Sequence, residues 1–330
     1  MLSKKKIIFI FLWFFTILIS IIWTFENSDQ IQTLKDIIKN EKVDKNQDVN
    51  INTAYYSLNL KKFKTPVYSK YGGIEKINNK IYYLSGDLNF YQLKKNKVNK
   101  KYDFISLPIK KIPNNKDKFL EKNNPILGKK AWKFFGAKDI LIEKFNSFEN
   151  KVLIISSLNY YEDEDCYDLS VFFTEIINEN SFQISEWKKI FSSEMCLNIN
   201  LTKKPKFAAA SAGGRIVKFD EENILLSIGD FYADGVNGPI LSQDLNNDYG
   251  KIFKININNK KHEIYSYGHR NPQGLYIDKN KNIFSTEHGP RGGDELNLIF
   301  ENKNYGWPIA TFGTKYWGKK NWPPDQTNNT

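Results

Sequence analysis

The 330-residue chain is 41% hydrophobic and 15% aromatic, enough for a sizeable core in one large domain or two ordinary ones. Its formal charge of +11 comes with no basic stripe carrying interleaved stacking aromatics, which excludes a nucleic-acid footprint. Only three of its 48 basic residues are arginine (Arg215, Arg270 and Arg291), so the charge reads as a compositional bias toward Lys, Asn and Ile.

The first element is an uncharged run, residues 7–25 (IIFIFLWFFTILISIIWTF), behind MLSKKK. Its length suits a bilayer crossing, and Trp23 near its end suits an interface. No small-residue cleavage site follows Ile22, so the run reads as an uncleaved signal anchor, with a cleaved signal peptide as the alternative. Lys4, Lys5 and Lys6 belong in the cytoplasm. That makes 1–6 a cytoplasmic stub and sends the rest of a single-pass membrane protein to the extracytoplasmic side, periplasm or cell surface. Residues 26–60 are polar and read as a linker, and 61–330 as the folded part. Within that part lie Cys166 and Cys196. An even cysteine count in an exported domain suits a disulfide, with two buried thiols as the alternative.

A hairpin pattern then recurs. GGIEKINNKIYYLSGD (72–87) and GGRIVKFDEENILLSIGD (213–230) share a glycine pair, an apolar run, a polar turn and a second apolar run. LIEKFNSFENKVLIISSL (141–158) and GLYIDKNKNIFSTEHG (274–289) repeat the same core, and GKIFKININNKKHEIYSYG (250–268) supplies a further hairpin. Asn, Asp and Gly at the turns tolerate the backbone that hairpins require. A recurrence of roughly 60–70 residues points to blades of a β-propeller. A β-sandwich does not predict matched hairpins at this period.

All three arginines, with His269 and His288, sit in short motifs: GGRI (213–216), GHRNPQG (268–274) and HGPRGG (288–293). Arginine offers a planar, permanently charged fork that lysine cannot copy, so a chain that otherwise uses lysine keeps it where geometry demands it. Together GGRIVKFD…LLSIGD, SQDL…GKIFKI, EIYSYGHRNPQGL, EHGPRGGDELNLI and NYGWP, in this order over about 207–316, resemble the glucose/sorbosone dehydrogenase family. The resemblance implies an all-β, six-bladed propeller that uses pyrroloquinoline quinone and calcium to oxidise aldose sugars, with electrons passing to an external acceptor. It implies Arg270 and Asn271 against the quinone, and backbone carbonyls of Gly289 and Pro290 on calcium with Asp294 beside them. Tyr316 matches a cofactor-contacting tyrosine, and Glu295 with the Tyr305 carbonyl a second calcium position. The ordinary reading of the same residues is scaffold: glycines shaping turns, Arg pairing with Asp, aromatics filling the core.

Three further readings bound the function. DLNNDYG (244–250) opens like an EF-hand loop, but its glycine falls one position late and Ile255 stands where Glu is required, so it is a turn. Where the family carries a proton-accepting histidine, this chain reads FAAASAGGR, with Ala210 or Ser211 at the position. Neither can act as a base near neutral pH. A six-bladed ring also needs strands beyond NYGWPIATFGTKYW, so the propeller is expected to be incomplete at its C-terminus. The leading expectation is an exported sugar dehydrogenase-like protein of doubtful activity. The alternative is a non-catalytic propeller that binds carbohydrate or a protein partner.

Overall fold

The computed structural model describes residues 48–52, 56–61, 65, 71–95, 102–127 and 134–315, which fall in two units. The described part of the smaller unit contains an antiparallel hairpin of β1 (Asp48–Asn52) and β2 (Ser57–Lys61), within the stretch read as a linker. Residues 7–25 lie outside the described residues, and among those described no helix is long and apolar enough to cross a membrane.

The larger unit carries four mainly antiparallel sheets. The first contains β3 (Gly72–Ile77), β4 (Lys80–Ser85), β5 (Phe90–Lys95) and β6 (Tyr102–Ser106). The second contains β7 (Ala137–Lys144), β8 (Lys151–Tyr161), β9 (Cys166–Asn178), β10 (Gln183–Ile184) and β11 (Lys188–Ser192). The third runs β12 (Gly213–Lys218), β13 (Asn223–Ile228), β14 (Lys251–Asn256), β15 (His262–Tyr267). The fourth runs β16 (Pro272–Ile277), β17 (Ile283–Glu287), β18 (Glu295–Ile299).

The repeated hairpins are the first two strands of each sheet, and 250–268 is the outer pair of the third. Two of their turns, those of the third and fourth sheets, share one chemistry. Asp220 Oδ1 accepts from the backbone N–H groups of Glu222 and Asn223, and Asp278 Oδ1 accepts from those of Asn280 and Asn282, all at 2.8 Å. These side chains replace backbone partners in the turn and so fix where each strand reverses.

First strands lie side by side around a common centre: β3 beside β7, β7 beside β12, β12 beside β16. The glycine pairs explain how closely they approach. A Cβ on Gly73 would strike Ile140 and Asp139, and one on Gly214 would strike Lys138. Arg215 then fastens the third sheet to the second: its Nη1 lies 2.7 Å from Asp139 Oδ1, while Ile216 N–H donates to Oδ2 at 2.9 Å. Apolar layers fill each gap between sheets, such as Leu84, Phe90, Leu153 and Phe172 in the first and Ile154, Val171, Leu226 and Phe253 in the second. Leu225, Ile252, Ile283 and Ile299 fill the third.

The all-β propeller expectation holds, but the six-bladed count does not: the described residues build four sheets of this kind. Among the described residues after β18 no further sheet opens. The chain returns as β19 (Lys303–Asn304), which pairs in parallel with β15 at the edge of the third. Cys166 and Cys196 are disulfide-bonded with Cα atoms 5.5 Å apart, as the even cysteine count suggests. A helix, α1 (Lys116–Leu127), follows β6 in the chain and buries Phe119 against Phe135, ring centroids 4.2 Å apart.

Candidate functional site

The four first strands begin at the same end of the larger unit, and the residues just before them face one cavity of about 550 Å³. Tyr71 precedes β3, Phe134 precedes β7, Ala210 and Ser211 precede β12, and Arg270 and Asn271 precede β16; all line it. Tyr232, after β13, and His288 to Arg291, after β17, close the ring, because an antiparallel second strand returns to the end where the first began. Of the residues singled out from the sequence, Ala210, Ser211, Arg270, Asn271, Gly289, Pro290 and Asp294 therefore share this wall.

Arg270 is the most constrained of them. Its Nη1 donates to the His288 carbonyl at 2.7 Å, and its own N–H donates to Glu287 Oε2 at 3.2 Å. The guanidinium lies over the rings of Trp307 and Tyr232, 5.2 and 6.0 Å from their centroids, a cation–π arrangement. Its Nε is buried and has no hydrogen-bond partner among the described residues. Asn271 ties two sheets together: Oδ1 accepts from Gly213 N–H at 3.2 Å and its carbonyl accepts from His288 N–H at 3.3 Å.

Behind this wall runs a buried chain from Ser266 Oγ to His269 Nε2 (2.8 Å) and from His269 Nδ1 to Glu287 Oε1 (2.6 Å), with His269 stacked on Tyr305. Burial alone would raise the Glu287 carboxyl. The charge and hydrogen bond of His269, with the Arg270 and Asn297 donors, outweigh it and hold Glu287 below its usual range.

The opposite wall is aromatic. Tyr71 and Phe134 lie 6.3 Å apart by ring centroid, Phe134 and Phe207 6.4 Å, and Phe207 stacks on Tyr232 at 5.4 Å. Burial pushes the Tyr71 hydroxyl up to about 12, so it stays neutral and hydrogen-bonded to Gln273. Lys138 sits beside this wall, its Nζ 4.1 Å from the Tyr71 centroid and bonded to the Phe134 carbonyl.

The rim is held by Asp294, whose Oδ1 accepts from Gly289 N–H at 2.9 Å and lies 3.7 Å from His288 Nδ1. Among the described residues no hydrogen bond reaches the Gly289 or Pro290 carbonyls. Glu295 and Tyr305 do not face the cavity. With Asp294 they line a neighbouring depression, where Glu295 Oε2 accepts from Asn297 at 3.0 Å and the Tyr305 hydroxyl donates to the Leu298 carbonyl at 2.7 Å. Arg215, in the same type of motif as the others, is the inter-sheet clasp and not a lining residue. Tyr316 lies outside the described residues.

Sequence reasoning missed Tyr71, Phe134, Phe207, Tyr232 and Gln273. The signal was present for two of them, since Tyr71 and Phe134 stand just before the first strands of their repeats.

Residues 136–330 match the family model described as glucose/sorbosone dehydrogenase. The aldose sugar dehydrogenase YliI of Escherichia coli is 41% identical over 123 residues, covering 33% of this chain and 32% of that protein. The quinoprotein glucose dehydrogenase B of Acinetobacter calcoaceticus is 34% identical over 120 residues, 29% of this chain and 25% of that one. These matches thus span a third or less of the relatives' own length. In structure, the soluble aldose sugar dehydrogenase of Escherichia coli aligns with a TM-score of 0.53 at 21% identity, over 76% of this chain and 65% of that one, which speaks to the fold alone.

Proposed function

The chain belongs to the glucose/sorbosone dehydrogenase family, and on that premise we propose that it is a membrane-anchored, exported propeller that holds pyrroloquinoline quinone and calcium in the Arg270 cavity and oxidises aldoses poorly. The relatives' names support a sugar as substrate class and a quinone as cofactor.

The residues present fit both groups. A planar, polycarboxylate quinone needs cations and flat apolar walls. Arg270 and Arg291 supply the first, and the Tyr71–Phe134–Phe207–Tyr232 series the second. The unpartnered, buried Arg270 Nε is a donor kept for an acceptor from outside the chain. Calcium takes oxygen ligands, and the Gly289 and Pro290 carbonyls with the Asp294 carboxylate form an all-oxygen set. Glu295 with the Tyr305 carbonyl would make a second such set around the neighbouring depression.

When bound, the quinone supplies the hydride acceptor and calcium the polarising charge. The protein's share is to orient the sugar and take the proton from its anomeric hydroxyl, and at the position of the family's histidine this chain has Ala210 or Ser211. Ala210 and Ser211 occupy the cavity wall where a base is needed, and neither side chain accepts a proton near neutral pH. The observation that carries the proposal is the meeting, in one cavity, of Arg270, Asn271, Gly289, Pro290 and Asp294 with Ala210 and Ser211.

Dye-linked aldose oxidation by the purified protein, supplied with quinone and calcium, tests it. Turnover should be very low. Ser211→His should raise it, because Ser211 already has φ 54°, a conformation histidine tolerates better than most residues. A placed base is worth about 10²–10⁴-fold, so at least a tenfold gain is expected with quinone affinity little changed. Efficient turnover by the unsubstituted protein would contradict the account. No turnover in either protein, with quinone still bound, would favour the non-catalytic binding propeller.

A further inference from the structure

Asp230 ends the apolar run of β13 and is fully buried, yet it is not among the cavity's lining residues. Its neighbour Asp234 shows what a turn aspartate does in this fold. Both of its oxygens bond within their own loop, to Val236 N–H (3.0 Å), Asn237 N–H (2.7 Å) and Asn237 Nδ2 (2.8 Å). Asp230 spends only one oxygen locally, accepting from Tyr232 N–H at 2.9 Å. The other accepts from the indole Nε1 of Trp307 at 2.7 Å, 77 residues away. Its own N–H donates to the Arg270 carbonyl at 2.8 Å. The two residues it holds, Tyr232 and Trp307, are those whose rings support the Arg270 guanidinium.

We propose that Asp230 is the positioning residue of Arg270: its carboxylate fixes, through one oxygen each, the two aromatic residues on which the guanidinium lies, and through its backbone the strand end that carries Arg270. Three chain segments, around 230, 270 and 307, are thereby locked to a single carboxylate, which leaves Arg270 one orientation toward the cavity. The inference rests on reading Arg270 as a cofactor-side residue.

Two readouts test it. The chain has three arginines, so the full-length protein labelled with ¹⁵N-arginine gives three Nε–H signals. That of Arg270 is identified by its loss in Arg270→Lys. In Asp230→Asn an amide donor faces one of the two former donors, and the Arg270 signal should move while those of Arg215 and Arg291 stay. Quinone affinity, followed by fluorescence quenching, should fall about tenfold in Asp230→Asn but less than about twofold when Arg270 is already Lys, since coupled residues are not additive. A purely structural Asp230 would give the same penalty in both backgrounds and an unmoved Arg270 signal, and either result overturns the inference. Trp307→Phe, which keeps a ring but loses the indole donor, serves the same two readouts if Asp230→Asn does not fold. An unsubstituted protein that binds no quinone would sink the functional reading, whereas an unmoved Arg270 signal sinks this inference alone.

Discussion

That Arg270, Asn271, Gly289, Pro290 and Asp294 come together was legible because arginine is rare in this chain and the surrounding motifs resemble one family. The same signal misleads at Arg215. A planar fork is also what a clasp between strands needs, and a one-dimensional motif does not say whether its partner is a ligand or Asp139. The aromatic wall was not legible, because aromatic residues are frequent along the whole chain and only the fold selects the four that face the cavity. Asp139 yields a prediction at this scale. Burial raises its carboxyl from 3.8 to about 6, against the opposing pull of Arg215 and the Ile216 N–H. The folded protein therefore binds more protons than the unfolded one between about pH 4 and 6, so this group's contribution to stability falls as pH rises through that window. Asp139→Asn cannot titrate. Its Tm relative to that of the parent should rise by several degrees between pH 4.5, where the parent's Asp139 is protonated, and pH 8, each tenfold in proton affinity being worth about 1.4 kcal/mol. Thermal melts of both proteins at the two pH values check this, and a relative Tm that falls as pH rises contradicts it.

Among elements, the first two strands of each sheet were readable because two apolar runs flank a polar turn in all four, with a glycine pair at the start of the first and third. The helix α1 was not. Its sequence, KDKFLEKNNPIL, carries little apolar periodicity, and tertiary burial of Phe119 and Asn123 outweighs its weak local preference. His262 begins β15, exposed and with its ring edge against Phe191 and Phe253. The disulfide also acts at this scale, fastening the start of β9 to the loop before β12 across a separation of 30 residues. Closing a loop of that length removes about 3–4 kcal/mol of unfolded-chain entropy. Replacing both cysteines with serine should lower stability by roughly that amount in denaturant titrations, and reductant should do the same to the parent but not to the variant. An unchanged midpoint would show that packing around Tyr167 and Leu197 holds the junction unaided.

For the whole molecule, the repeat period identified a propeller, because each sheet alone leaves an apolar face that only a neighbouring sheet can cover. The six-blade expectation came from the family and not from the strands, and the described residues make four. The reading of residues 7–25 as an uncleaved anchor is a proposal at this scale. It expects the protein to sediment with membranes and to resist alkaline extraction, and an N-terminal sequence starting after Phe25 would contradict it. The central claim is that the cavity where the four first strands begin holds a planar quinone through Arg270. Calorimetric titration of the full-length protein with pyrroloquinoline quinone and calcium tests it most directly, in parallel with Arg270→Ala. The account predicts saturable binding to the parent, weakened at least about tenfold by the substitution, the loss expected when a charged hydrogen-bonding partner is removed. No binding to the parent, or equal affinity in both proteins, would contradict it.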